Sequence, residues 1–291
     1  MSEQELEKKQ KRTKLVLSNV YNLPAVSQVM MEVSNMLDNP TTNTAKLGQM
    51  IGKDQGLATK ILSISNSPLY GLPRKVTTID FAILIIGYQD IKNIVIALSM
   101  IESFKNKTDK YLNQKEFWIH SMLSGNAAKR VAEDLGFRIG SEVFVSGLLH
   151  DLGIPVLHKY FHNEFMQIVD EVNNSGRPFH EVEVEILGYD HQDIGRFLAE
   201  KWNLPQQHCS TINNHHNPSK AEENKVMASI VHLVDYMTQK LEIGNFYWDN
   251  NYELDESIID ILKFDTREKL DEFVESYRDL FQEEINNTNL L

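Results

Sequence analysis

The stretch Asp90-Ile91-Lys92-Asn93-Ile94-Val95-Ile96-Ala97-Leu98-Ser99-Met100-Ile101-Glu102-Ser103-Phe104 decides the fold class. Its Ile, Val and Leu content would suit a buried strand. The apolar positions Ile91, Ile94, Val95, Leu98 and Ile101, however, recur at three and four residues, which is one face of a helix. A second apolar helix is expected from Thr78 to Ile86, separated from the first by Gly87-Tyr88. The same period extends outward. Val26, Val29, Met30, Val33, Met36 and Leu37 form one stripe, Leu47, Met50 and Ile51 a second, and Leu57, Ile61 and Ile64 a third that Ser67-Pro68 ends. Ser67 to Lys75 reads as a loop, and no segment alternates convincingly at strand length. The expected fold class is all-α.

Helical patterning continues through the second half. Helices are expected over Lys115 to Leu135, Ser141 to Leu152, Ile154 to Asn173, Glu181 to Leu187, Asp190 to Trp202 and Ala221 to Leu241. Two acidic amphipathic helices are expected between Glu256 and Asn286. Polar junctions at Lys105 to Gln114 and Gly244 to Tyr252 divide the chain. The divisions are a charged N-terminal tail (1–14), a helical subdomain (15–108), a bundle (109–244) and an acidic helical extension (245–291). No repeat of fixed period occurs.

The chain has 291 residues, 42% of them hydrophobic and 24% charged, enough for one large core or two modest ones. A formal net charge of −12 opposes binding to a polyanion, so nucleic acid is not an expected partner. The one basic run, Lys8-Lys9-Gln10-Lys11-Arg12, is interleaved with acidic neighbours and reads as a solvated leading helix or tail. A single cysteine, Cys209, excludes an intramolecular disulfide and suits a reducing compartment. The first residues lack the apolar core of a secretory signal, and the apolar runs are too short to span a bilayer. A cytoplasmic protein without membrane contact is expected.

All ten histidines fall between His120 and His232. His120 shares a face with Leu123, Ala127 and Val131, with Glu116 one turn earlier. His150 and Asp151 align with Val143 and Gly147. His191 opens a helix, His215 and His216 close one, and Asp235 aligns with Ala228 and Val231. Any one of these histidines is more often a hydrogen-bonded core residue than a ligand. The cluster weighs differently, because two core-facing aspartates without nearby Lys or Arg must be paired or metal-bound. His158, His162, His180 and His208 read as surface or supporting residues, and His232 as a neighbour of the site rather than a ligand.

The run Val145-Ser146-Gly147-Leu148-Leu149-His150-Asp151-Leu152-Gly153 resembles the signature of the HD superfamily of metal-dependent phosphohydrolases. Leu23-Pro24, Asp54, Asn66-Ser67, Tyr70-Gly71 and Ile79 to Gly87 resemble the HDOD (HD-related output domain) family, as do Gly188-Tyr189-Asp190-His191 and Trp202-Asn203-Leu204-Pro205. The resemblance spans about residues 20 to 240. It implies an HD-like helical bundle with an N-terminal helical subdomain. It also implies metal ligands at His120, His150, Asp151 and Asp235. The related HD-GYP phosphodiesterases add His191, His215 and His216, with Glu116 as a further candidate.

Two departures stand out. Ile154 takes the place of the Lys that the HD-GYP pattern sets three residues after the Asp, and Asn217-Pro218 follows the double histidine instead of a Gly-Tyr-Pro loop. The family implies a signal-transduction output module working with other signalling proteins, here without confident catalytic residues. The alternative is a metal-dependent phosphohydrolase or cyclic-nucleotide phosphodiesterase, with Asp151 and Asp235 as acid/base residues. Nitrogen and oxygen ligands without thiolate point to one or two Fe, Mn, Zn or Ni ions. A nucleotide or phosphate ligand at the metals, and self-association, are compatible with this reading.

Overall fold

The computed structural model describes residues 2–20, 32–33, 35–36, 39, 42–72, 74–244, 246, 248, 251 and 253–289. Among them there is no strand, and the all-α class holds. The first helices are α1 (Glu3–Asn19), α2 (Thr44–Ile51), α3 (Gln55–Ser65), α4 (Ile79–Ile86) and α5 (Tyr88–Phe104). The stripe expected from Val26 to Leu37 lies mostly outside the described residues; of it, Val33 and Met36 are helical. Asn43, Asp54 and Thr78 each cap the following helix by accepting from a backbone N–H two or three positions on. The boundary expected at residue 14 falls inside α1. That helix lies against a later one, with the Thr13 hydroxyl donating to the Leu187 carbonyl (2.8 Å). No single described helix is long and apolar enough to cross a membrane, and α4 and α5 meet at a bend of 109°.

The second half contains α6 (Gln114–Asp134), α7 (Gly140–Leu149), α8 (Gly153–Tyr160), α9 (His162–Ser175), α10 (Phe179–Leu187), α11 (His191–Lys201), α12 (Gln206–Asn214) and α13 (Lys225–Lys240). Three short helices follow: α14 (Ser257–Ile261), α15 (Arg267–Glu275) and α16 (Arg278–Asn289). Three boundaries differ from expectation. The helix expected over Ile154 to Asn173 breaks at Phe161 (φ −128°, ψ 40°), which turns its ring into the core. The helix expected from Ala221 starts at Lys225, after a single turn at Pro218–Lys220. The two expected C-terminal helices are three, because Lys263 (φ 64°) ends the first turn of the segment in the left-handed region.

α6 lies between two apolar cores. Phe117 and Met122 join the core built on α2–α5 and α7–α12, whereas Ile119, Leu123, Ala127 and Val131 join the core shared with α13 and the C-terminal helices. His120 sits between these two sets of positions. The acidic C-terminal segment packs into the second of these cores. Leu270, Val274, Tyr277 and Phe281 are buried, and Glu284 enters the interior to accept from Ser67 Oγ (2.6 Å) and Asn126 Nδ2 (2.7 Å).

Burial pushes the Glu284 carboxyl up to about 7, despite the two hydrogen bonds that favour its charge. A raised carboxyl favours the folded state while protonated, so this contribution is present below the ordinary value near 4.5 and is lost as pH rises through about 7. The protein is expected to lose on the order of 1–3 kcal/mol of stability between pH 5 and 8 from this group. Glu284→Gln should flatten that dependence in urea melts; an unchanged slope in the variant would contradict it.

Candidate metal centre

Five segments deliver the seven side chains singled out in the sequence. α6 carries His120, the turn after α7 carries His150 and Asp151, α11 opens with His191, the end of α12 carries His215 and His216, and α13 carries Asp235. All seven are at most 5% exposed. Two glycines permit the convergence. A Cβ on Gly153 would stand 2.1 Å from the His191 carbonyl oxygen, and one on Gly147 would stand 2.7 Å from that of Ser124. Both neighbours are backbone, so no side chain can move aside. α8 can start directly against the start of α11, and α7 can lie directly against α6, only with glycine at these positions.

The tautomers follow from the backbone. A helix end leaves carbonyls without partners, and His150 Nδ1 takes that of Gly147 (2.7 Å) while His215 Nδ1 takes that of Ile212 (2.8 Å). A carbonyl can only accept, so each Nδ1 carries the proton, and in the neutral ring each Nε2 presents a lone pair. His191 is held the same way. Its Nδ1 lies 2.6 Å from Glu183 Oε2, which also accepts the His191 backbone N–H (3.0 Å). The backbone N–H of His216 donates to Gln192 Oε1 (3.0 Å).

These lone pairs meet around Asp151. On one side His120 Nε2 lies 3.2 Å from His150 Nε2, 3.3 Å from Asp151 Oδ2 and 3.4 Å from Asp235 Oδ1. On the other, His191 Nε2 lies 3.3 Å from His215 Nε2 and 3.0 Å from His216 Nε2. Asp151 Oδ1 stands 3.7 Å from both His191 Nε2 and His215 Nε2 and accepts no hydrogen bond. Ligands at metal–ligand distances of 2.0–2.1 Å sit roughly 3.0–3.4 Å from one another in tetrahedral or octahedral geometry. Imidazole nitrogens that converge on Asp151 Oδ1, which has no donor, and the His120, His150 and Asp235 atoms gathered on its Oδ2 side therefore fit divalent metal, provided that His120 gives up its Nε2 proton on binding. Glu116 belongs to none of the groups that converge.

Burial and charge act in opposite directions on these groups. Burial raises the carboxyls of Asp151 and Asp235, but facing imidazoles override it and hold both below the ordinary range. Burial opposes an imidazolium at His120, yet the two aspartates push it up to about 9. His215 and His216 lie well below the usual imidazole value, through burial and then repulsion from neighbouring imidazoles, so they are neutral, as a ligand must be.

The other histidines separate. His232 is fully buried behind the site; its Nδ1 donates to the His215 carbonyl (2.7 Å) and its Nε2 accepts the Asp255 backbone N–H (2.9 Å). His208 and His158 are buried rather than at the surface, His208 against Ser146 Oγ (2.8 Å). His180 stacks on His216 at 5.3 Å between ring centres. Two residues were missed from the sequence. Glu183 is invisible as a partner of His191 because a buried glutamate on an amphipathic helix looks like any other acidic position. Trp248 lies in the segment read as a junction, yet its indole N–H donates to Asp151 Oδ2 (2.9 Å), and its buried ring and the half-buried Phe246 pack against His120. The aromatic density of that junction was the available signal.

An all-helical domain with a His/Asp cluster spread over five segments is an HD-type architecture. The chain belongs to the HDOD domain family, whose profile matches residues 23–218. Solved structures with the same fold include an HDOD domain protein of unknown function from Geobacter sulfurreducens (TM-score 0.76, 23% identity, 98% of this chain and 100% of that one). A Shewanella amazonensis SB2B protein provisionally called a phosphohydrolase follows (TM-score 0.70, 20% identity, 94% and 97%). A Marinobacter aquaeolei VT8 protein provisionally called a signal transduction protein is similar as well (TM-score 0.69, 18% identity, 94% and 61%). A curated relative, an uncharacterized Treponema pallidum (strain Nichols) protein, is 25% identical over 224 residues, and the match covers 75% of this chain but only 43% of that relative.

Because Asp151 faces both groups with separate oxygens, Asp151→Ala is expected to strip metal from both sides, whereas His191→Ala affects one. Glu183→Ala, which frees the His191 ring, is expected to weaken that side by roughly 10–100-fold. Metal retained after dialysis against a chelator measures the ranking, and equal retention in Asp151→Ala and His191→Ala would contradict it.

Proposed function

We propose that this chain is a signal-transduction output module whose His/Asp centre holds one or two first-row divalent ions and performs little or no phosphoester hydrolysis. The carrying observation is the space beside the ligands. The cavity reaching His120 and Asp235 has a volume of about 140 Å³, and its walls include Glu242, Phe246 and Trp248. Pockets for small molecules run roughly 300–1,000 Å³, so a dinucleotide is far too large for it. No Lys or Arg is among its described lining residues, and Asp235 and Glu242 give it negative charge. Phosphoryl transfer needs cationic groups on the non-bridging oxygens, and no described lining residue supplies one.

The candidates for that missing charge lie elsewhere. Ile154 is fully buried in the apolar core and does not line the cavity. Arg177 pairs with Glu185 (2.7 Å), and Lys201 lies over the Phe197 ring. The Marinobacter neighbour's provisional name agrees with the signalling reading, and partner proteins are the natural recipients of its output. The second reading, a metal-dependent phosphohydrolase, is favoured by the two-sided ligand set itself: bound ions would lower the pKa of a coordinated water and neutralise phosphoryl oxygens. The Shewanella neighbour's provisional name agrees with it.

Metal-loaded protein is expected to release neither nitrophenol from p-nitrophenyl phosphate esters nor mononucleotides from cyclic dinucleotides above the rate of His150→Ala. Robust turnover by the wild type that disappears in His150→Ala would overturn this reading in favour of the hydrolase.

A further inference from the structure

A second group of metal-ligating side chains lies outside the buried centre, where the connector between α5 and α6 meets the junction of α8 and α9. Asp109 belongs to the connector, His158 to the last turn of α8, and His162 is the first residue of α9. Asp109 Oδ1 is committed to the backbone N–H groups of Tyr111 (2.8 Å) and Leu112 (3.0 Å). Its Oδ2 faces two imidazoles, His158 Nε2 at 2.9 Å and His162 Nε2 at 3.5 Å. The three ligand atoms lie within 4.8 Å of one another.

The His158–Asp109 hydrogen bond by itself would be an ordinary anchor for the connector. His162 does not fit that description. Its Nδ1 lies 3.2 Å from the His158 carbonyl, an acceptor, so in the neutral ring Nδ1 carries the proton and Nε2 points a lone pair at a carboxylate oxygen. Two lone pairs so placed repel unless a proton or a cation lies between them. We propose that Asp109, His158 and His162 form a separate surface site for a single divalent ion of the zinc class. Two imidazoles and one carboxylate are a recurrent zinc ligand set, and they leave the fourth position for water. His158 is 1% exposed, whereas His162 and Asp109 are 43% and 32% exposed at the side chain, so the ion enters from the solvent side.

Binding requires His158 to surrender its Nε2 proton and carry one on Nδ1. Asn106, whose side-chain nitrogen is 3.5 Å from that Nδ1, then turns its amide to present oxygen. The ion joins the connector to α8 and α9, and that connector leads directly into α6 and His120. The proposal uses none of the buried ligands and stands apart from the function proposed above.

The test is a zinc titration of the full chain by calorimetry, comparing wild type, His162→Ala, Asp109→Asn and His150→Ala. His162→Ala and Asp109→Asn are each expected to bind one equivalent fewer than wild type, while His150→Ala keeps that equivalent. His162 is well exposed, so its variant should keep the wild-type metal-free melt. Zinc should also slow hydrogen exchange over residues 105–113 in wild type and not in His162→Ala. If the buried centre takes no zinc, the same comparison becomes one equivalent against none, so the two readings fail separately. Equal stoichiometry in wild type and His162→Ala, or zinc protection of the connector that persists in that variant, would overturn the proposal.

Discussion

The arrangement depends on Asp151, a buried carboxylate whose two oxygens face two different groups of imidazole nitrogens. Among the described residues its polar neighbours are histidines and the Trp248 indole, with no lysine or arginine. An isolated carboxylate in such surroundings is costly, and the folded state tolerates it where an imidazolium or a bound cation faces it. Much of the fold follows from bringing that charge into place. α8 must begin directly against the start of α11, which is why a single methyl group on Gly153 would collide with the His191 backbone. α6 must separate two apolar cores so that His120 can face Asp151 and Asp235 together.

The ligands are held rigidly by the chain itself. His150 and His215 use carbonyls that helix ends leave over, so the structural defect at each terminus becomes the device that sets a tautomer. His191 relies on Glu183, whose carboxyl burial pushes above its ordinary value and the His191 contacts draw back down. Trp248 and Phe246 then close the side near His120. The cavity beside His120 and Asp235 has a volume of about 140 Å³, with Asp235 and Glu242 in its walls. The His/Asp cluster draws five segments of this HDOD chain together.

Much of this was legible in the sequence. The three-and-four spacing of Ile91, Ile94, Val95, Leu98 and Ile101 specified a helix against a composition that suggested a strand, and α5 is one. The seven His and Asp positions shared core faces with apolar neighbours, and the structure brings their side chains together. Helix ends were less readable. The break at Phe161 depends on burying its ring, and the turn at Lys263 on a left-handed residue that is not glycine; neither has a local signature. His158 and His208 are buried, His158 against Asp109 and Asn106 and His208 against Ser146, at separations that periodicity does not connect. Glu183, Trp248 and Glu284 belong to contacts that span from eight to more than two hundred residues, which periodicity cannot reach.

A cluster such as that around Asp151 is either a metal centre or a hydrogen-bonded network of histidines. X-ray absorption spectroscopy with elemental analysis on purified full-length protein separates the two most directly. The account expects one or two first-row divalent ions per chain, bound by imidazole and carboxylate at about 2.0–2.2 Å and without sulfur, and lost in His150→Ala. Folded protein without stoichiometric metal, whose melt is unchanged by a chelator or by added Mn, Fe, Ni or Zn, would contradict it.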